Sequence, residues 1–141
     1  MRRSISILLC FFLISCSGTG TKDSSAINSM VYGGDKGKVF VGRVPGYFGS
    51  AQTYKVILNG KEIGILGAGE VIIGNTVAGT NLIEAKFRGL TLGLTIGEKI
   101  YSFNAAKNEN HYFIVSYRPG VIAGGLELIE TTASSFRLSM Q

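Results

Sequence analysis

The stretch "TYKVILNGKEIGIL", Thr53 to Leu66, decides the fold class. Tyr54, Val56 and Leu58 alternate with Thr53, Lys55 and Ile57, the period of two that puts one set of side chains on each face of a strand. Asn59-Gly60 follows at once, and both residues tolerate the positive φ that a two-residue hairpin turn demands. "KEIGIL" then supplies the returning strand.

The same pattern extends in both directions. "LIEAKFR" sets Ile83, Ala85 and Phe87 against Glu84, Lys86 and Arg88, and "LTLGLTI" sets Leu90, Leu92, Leu94 and Ile96 against Thr91, Gly93 and Thr95. Further strands are expected at Lys38–Arg43, Glu70–Val77, Lys99–Ala105, His111–Tyr117 and Leu126–Glu130. Eight or nine short strands with a turn signal every 8–12 residues predict an all-β chain, an antiparallel β-sandwich or small barrel. No segment carries helical periodicity, although "TTASSFRL" near the C-terminus has room for a turn or two of helix.

The two cysteines lie in "LLCFFLISCSGTG", Leu8 to Gly20. Met1-Arg2-Arg3 gives a charged start, Ile5 to Ile14 is apolar except for Ser6, and Leu13-Ile14-Ser15-Cys16 closes the run. That is the layout of an export signal, and its apolar stretch is about half the roughly 20 residues that a membrane-spanning helix needs. The last four residues resemble the lipobox of bacterial lipoproteins. The resemblance implies cleavage between Ser15 and Cys16 and a diacylglycerol, with a further acyl chain such as palmitate, on Cys16. Cys10 would leave with the signal, so the mature chain would have no free thiol, disulfide or cysteine-based metal site. Ser17 after Cys16 favours the outer membrane in a Gram-negative cell.

The expected organisation is therefore a signal peptide over 1–15, a lipidated Cys16 and flexible tether over 16–37, and a β-sandwich over 38–141. The tether assignment rests on "SGTGTKDSSAINSMVYGGDKG", rich in Ser, Thr, Gly and Asp, whose random-coil reach would be about 25 Å. "GGDKGKV" is not a phosphate loop, because its glycines are too close together and Val39 stands where Ser or Thr is required. An alternative is a short first strand at Met30–Tyr32.

"VILNGKEIGIL" followed by "VAGTNLIEAKF" is similar to the PEGA-type unit, and 38 to about 130 resembles small lipoproteins that carry a domain of unknown function. Phe40, Arg43, Pro45, Asn59, Gly60, Lys61, Ile63, Gly64, Gly79, His111, Tyr112 and Phe113 carry the likeness. Asn81 stands where that pattern has His, and Val44 is inserted between Arg43 and Pro45. The resemblance implies a PEGA-like or Ig-like sandwich and no particular activity.

Little in the composition points to catalysis. His111 is the only histidine, no nucleophile elbow is present, and a lone His at a strand end is expected at a surface or edge. The carboxylates are spread singly, and Glu127 and Glu130 fall on opposite faces of their strand. Fourteen basic and nine acidic residues give a net charge of +5, without a basic run or recognition helix, so nucleic acid is not an expected partner. A small-molecule substrate, a metal or any cofactor beyond the covalent lipid on Cys16 is not expected either.

Two Gly-rich loops offer a binding surface. "RVPGYFGSAQT" brings Arg43, Tyr47 and Phe48, and "YRPGVIAGG", expected beside it or at the same end of the domain, brings Val121 and Ile122. Phe48, Val121 and Ile122 would form a patch for a partner if exposed together, while the other reading has Tyr47 and Phe48 fold back to cap the sandwich. The expected function is thus that of a lipid-anchored, non-enzymatic envelope lipoprotein, attached to a membrane and binding an envelope protein or serving a structural role. A glycan- or peptidoglycan-binding module is the alternative, weakened by the absence of Trp, and an envelope hydrolase ranks last.

Overall fold

The computed structural model describes residues 18–46, 52–88, 97–118 and 125–141. Eight strands form two four-stranded sheets packed face to face, as the alternation predicts. One sheet has the order β4(Val71–Asn75), β1(Lys38–Arg43), β7(His111–Arg118), β8(Gly125–Thr131). The other has the order β3(Lys61–Leu66), β2(Thr53–Leu58), β5(Gly79–Arg88), β6(Glu98–Ala105). Neighbours are antiparallel except β1 and β7, which run parallel with Arg43 opposite Val115. The strand expected at Leu90–Ile96 lies outside the described residues.

The Asn59-Gly60 turn takes the conformation its residues allow, φ 50° and 78°. Between the sheets lie Val39, Val41, Tyr54, Val56, Ile83, Phe113, Val115 and Leu126, all but excluded from solvent. Each such side chain contributes about 1.5–3 kcal/mol of burial.

The first correction concerns the tether. Residues 24–32 form a helix, α1(Ser24–Tyr32), capped by the Asp23 carboxylate, which accepts from the Ser25 backbone N–H at 3.0 Å. Ile27 and Val31, one turn apart on the same face, pack with Phe40, Tyr112 and the Phe136 of a second helix, α2(Ala133–Ser139). These two helices cover the outer face of the β1–β7 sheet. Polar composition hid the helix, because only two of its nine residues are fully buried.

The covering helices explain β1, whose last five residues are all buried. Val39 and Val41 face the second sheet, while Phe40 and Gly42 face the helices. A Cβ at Gly42 would stand 2.8 Å from the Phe136 ring and 2.7 Å from the Met140 sulfur, so the absent side chain lets α2 lie flat.

Residues 18–22 are also part of the body. The Thr19 backbone N–H donates to the Ile65 carbonyl at 2.7 Å, and Thr21 and Val71 exchange two backbone bonds at 2.9 Å. The segment therefore straps β3 of one sheet to β4 of the other. The strand registers bring Arg43, Thr53, Leu66, Val71, Arg88, Glu98, Arg118 and Gly125, the strand ends that flank 44–52, 67–70, 89–97 and 119–124, to this same end of the sandwich. The turns 59–60, 76–78 and 106–110 lie at the opposite end.

Candidate functional site

Three places among the described residues gather polar chemistry. The first is the side of the sandwich where β6 and β8 meet. Alternation along β7 turns His111, Phe113 and Val115 inward, and on β8 it turns Leu126, Leu128 and Glu130 the same way. His111 is thus not the surface residue that its position at a strand end suggested: it is 8% exposed, with its ring 4.6 Å from that of Phe103. Its Nδ1 lies 2.7 Å from Glu130 Oε1, and with a carboxylate as acceptor Nδ1 is the donor. Nε2 is buried without a hydrogen bond, 3.6 Å from Glu109 Oε2. Tyr101 also donates to Glu130, and that bond, with the carboxylate's charge, raises the tyrosine pKa above its ordinary value.

The chain therefore brings Glu109, His111 and Glu130 together from positions that read as isolated carboxylates and a lone His. The signal available was the strand parity that puts His111 and Glu130 on inward positions of neighbouring strands. Chemically, the arrangement orients an imidazole and satisfies a carboxylate at the margin of an apolar core. Among the described residues no hydroxyl or thiol bonds to either ring nitrogen, and no set of three His, Cys, Asp or Glu side chains forms a metal site. Glu127 points to the other face of β8, where it pairs with Arg118 at 3.0 Å.

The second place is the strapped end. Arg43, expected in an exposed recognition loop, ends β1 with its side chain turned inward, 5% exposed. Its guanidinium donates to the Gln52 carbonyl and lies 4.9 Å from the centroid of the Tyr54 ring. Burial lowers the Arg43 pKa, opposed by the charges of Tyr54 and Glu70, and burial likewise raises that of Tyr54. Arg43 is thereby an internal tie across the mouth of the 44–52 connection.

Glu70 is the second buried charge here, 3% exposed rather than on a solvated strand face. Its Oε2 accepts from the backbone N–H groups of Gly67 at 2.8 Å and Gly20 at 3.3 Å, and Lys22 Nζ stands 3.7 Å from Oε1. A Cβ at Gly18 would fall 1.8 Å from the carboxylate, which is why the strap needs glycine as it passes. This carboxylate fixes the strap to the β3–β4 turn.

Ser15, Cys16, Tyr47, Phe48, Val121 and Ile122 lie outside the described residues. Because β1 and β7 run parallel, the strands that lead into 44–52 and 119–124 finish at the same end of the sandwich.

A further polar cluster sits at the opposite end. Asn81, 1% exposed, accepts at Oδ1 from Asn59 Nδ2 (2.9 Å) and the Val77 N–H (3.0 Å). It donates from Nδ2 to the carbonyls of Val77 (2.7 Å) and Gly79 (2.9 Å). Asn59 in turn accepts from the Leu82 N–H at 2.8 Å. The position that resembled a Gly-x-His step thus holds a structural lock between the hairpin turn and β5. Comparison of the chain with protein-family models, curated proteins and solved structures gives no match.

Proposed function

We propose that this chain is a lipid-anchored cell-envelope lipoprotein with a non-enzymatic, partner-binding or structural role, its sandwich held at the membrane by acylated Cys16. The observation that carries the reading is the run from Arg2-Arg3 through the apolar Ile5–Ile14 stretch to Leu13-Ile14-Ser15-Cys16. A cut before Cys16 would remove the signal without severing any described strand or helix, the first described contacts being those of Gly18 and Thr19. Each buried CH₂ contributes about 0.8 kcal/mol, so two or more acyl chains anchor stably where a single one binds only reversibly.

Expression of the full chain in a bacterial host with radiolabelled palmitate tests this. Wild type should incorporate label, lose the mass of residues 1–15 and sediment with membranes. Cys16→Ala should take no label and leave the membrane fraction. Label retained by Cys16→Ala, or a mature N-terminus other than Cys16, refutes the reading.

A further inference from the structure

If Cys16 carries the lipid, the length of chain between it and the folded body decides how the domain stands on the bilayer. A fully extended chain spans at most about 3.3–3.6 Å per residue, so the Cα of Cys16 lies within roughly 7 Å of that of Gly18. Gly18 itself abuts Glu70 and Gly67 in the β3–β4 turn, and Thr19 and Thr21 are bonded to both sheets. The 25 Å stalk expected from composition does not exist, because its residues are the strap and α1.

We infer that the strapped end of the sandwich rests against the lipid surface that holds the anchor, with the strands pointing away from it. This rests on the lipoprotein reading above. The occupant of this end is a bilayer rather than a protein, because acyl chains on Cys16 enter the membrane within a few ångströms of it.

The charge distribution fits. Of the described residues in the connections at this end, 44–46, 52, 67–70 and 97, only Glu70 carries a charge, and it is buried. The opposite end exposes Lys107 and Glu109. At the strapped end Val44 and Pro45 are exposed, and the exposed ions of the rim include Lys22, Arg88 and Arg118, with Glu98 as a carboxylate held 3.5 Å from Lys86. Uncharged connections within a partly basic rim suit the boundary between acyl chains and anionic head groups.

The test uses the acylated protein in liposomes of phosphatidylethanolamine and phosphatidylglycerol, one head-group-quenching lipid included. Fluorophores are placed on Val44→Cys or Lys107→Cys, the thiol of Cys16 being blocked by its lipid. Strands rise about 3.3 Å per residue, so the eight residues of β7 separate the two ends by roughly 25 Å. The Val44 label should be quenched several-fold more than the Lys107 label. A Gly/Ser insert of about 12 residues between Ser17 and Gly18, with a reach of ~17–21 Å, should abolish most of that difference while acylation persists by mass.

Equal quenching at the two positions in acylated protein overturns the docked orientation and leaves the anchor intact. Absence of acylation removes the anchor and the orientation together. A Val44→Cys thiol shielded from maleimide in cells, yet unquenched in liposomes, means that a protein covers this end and equally overturns the inference.

Discussion

Replacing Asn81 is the sharpest test of how the end of the sandwich opposite the strap is built. Its side chain makes four hydrogen bonds while almost fully buried, joining the Asn59 turn to the start of β5. A net contribution of about 0.5–1.5 kcal/mol per bond would give ~2–6 kcal/mol for all four. Val77 lies at the surface, so water can take up part of what Asn81→Ala releases, and the expected cost is about 2–4 kcal/mol. For a domain of this size that corresponds to a fall in Tm of roughly 8–16 °C.

Asn81→Asp separates hydrogen bonding from packing. It keeps the oxygen that accepts from Asn59 and Val77, but turns the donor facing two carbonyls at 2.7 and 2.9 Å into a second oxygen. The charged form is disfavoured there, so the new carboxyl has a raised folded-state pKa. Relative to the Asn protein, its stability is then retained below the unfolded pKa of about 3.9 and lost as pH rises through the folded value. Urea denaturation of the Cys16→Ser mature chain at pH 3.5 and pH 7 reads both effects. Asp as stable as Asn at pH 7, or an Ala variant within 1 °C of the parent as read by thermal melting, refutes the account of this lock.

Ile27→Ala, in the segment whose composition suggests a tether, should cost about 2–4 kcal/mol in the same denaturation assay; an unchanged midpoint would mean that α1 is not packed. Glu70→Ala should release the strap, and amide exchange at Gly20 and Thr21 should accelerate by at least ~10-fold, given that charge-assisted hydrogen bonds contribute about 1.5–3 kcal/mol. Unaltered protection there would dismiss the carboxylate as the fastener. Glu130→Gln should move the Tyr101 titration back toward lower pH, seen as the tyrosinate absorbance that Tyr101→Phe removes. Because that pKa is raised in the folded state, the contribution to stability is present below the unfolded value of about 10 and disappears as pH climbs through the folded one.

Much of the sandwich was legible in the residues. Alternation in Thr53–Leu58 and Leu82–Arg88 is a local property that one buried face imposes, and Asn59-Gly60 names its own turn through backbone sterics. The resemblance to an export signal and lipobox is likewise a reading of linear sequence alone. Periodicity did not reveal α1, because a helix laid on a sheet needs only Ile27 and Val31 to be fully buried, and two such residues among nine make no pattern. Nor did it reveal that β1 is covered on both faces, although the run Val39-Phe40-Val41 is what two covered faces require.

What the chain determines by itself is therefore the class of each strand, the hairpin turn and the expected anchor. Tertiary structure alone decided the sidedness. Parallel pairing of β1 with β7 brought Arg43 and Arg118, the last residues of the two strands, to one end, and hydrogen bonds across 46 to 50 residues of sequence strapped Gly18–Thr21 there. Tertiary structure also turned Arg43, Glu70, His111 and Asn81 inward. A buried polar group must find its partners, and those partners came from strands and turns distant in sequence, which no local pattern can specify.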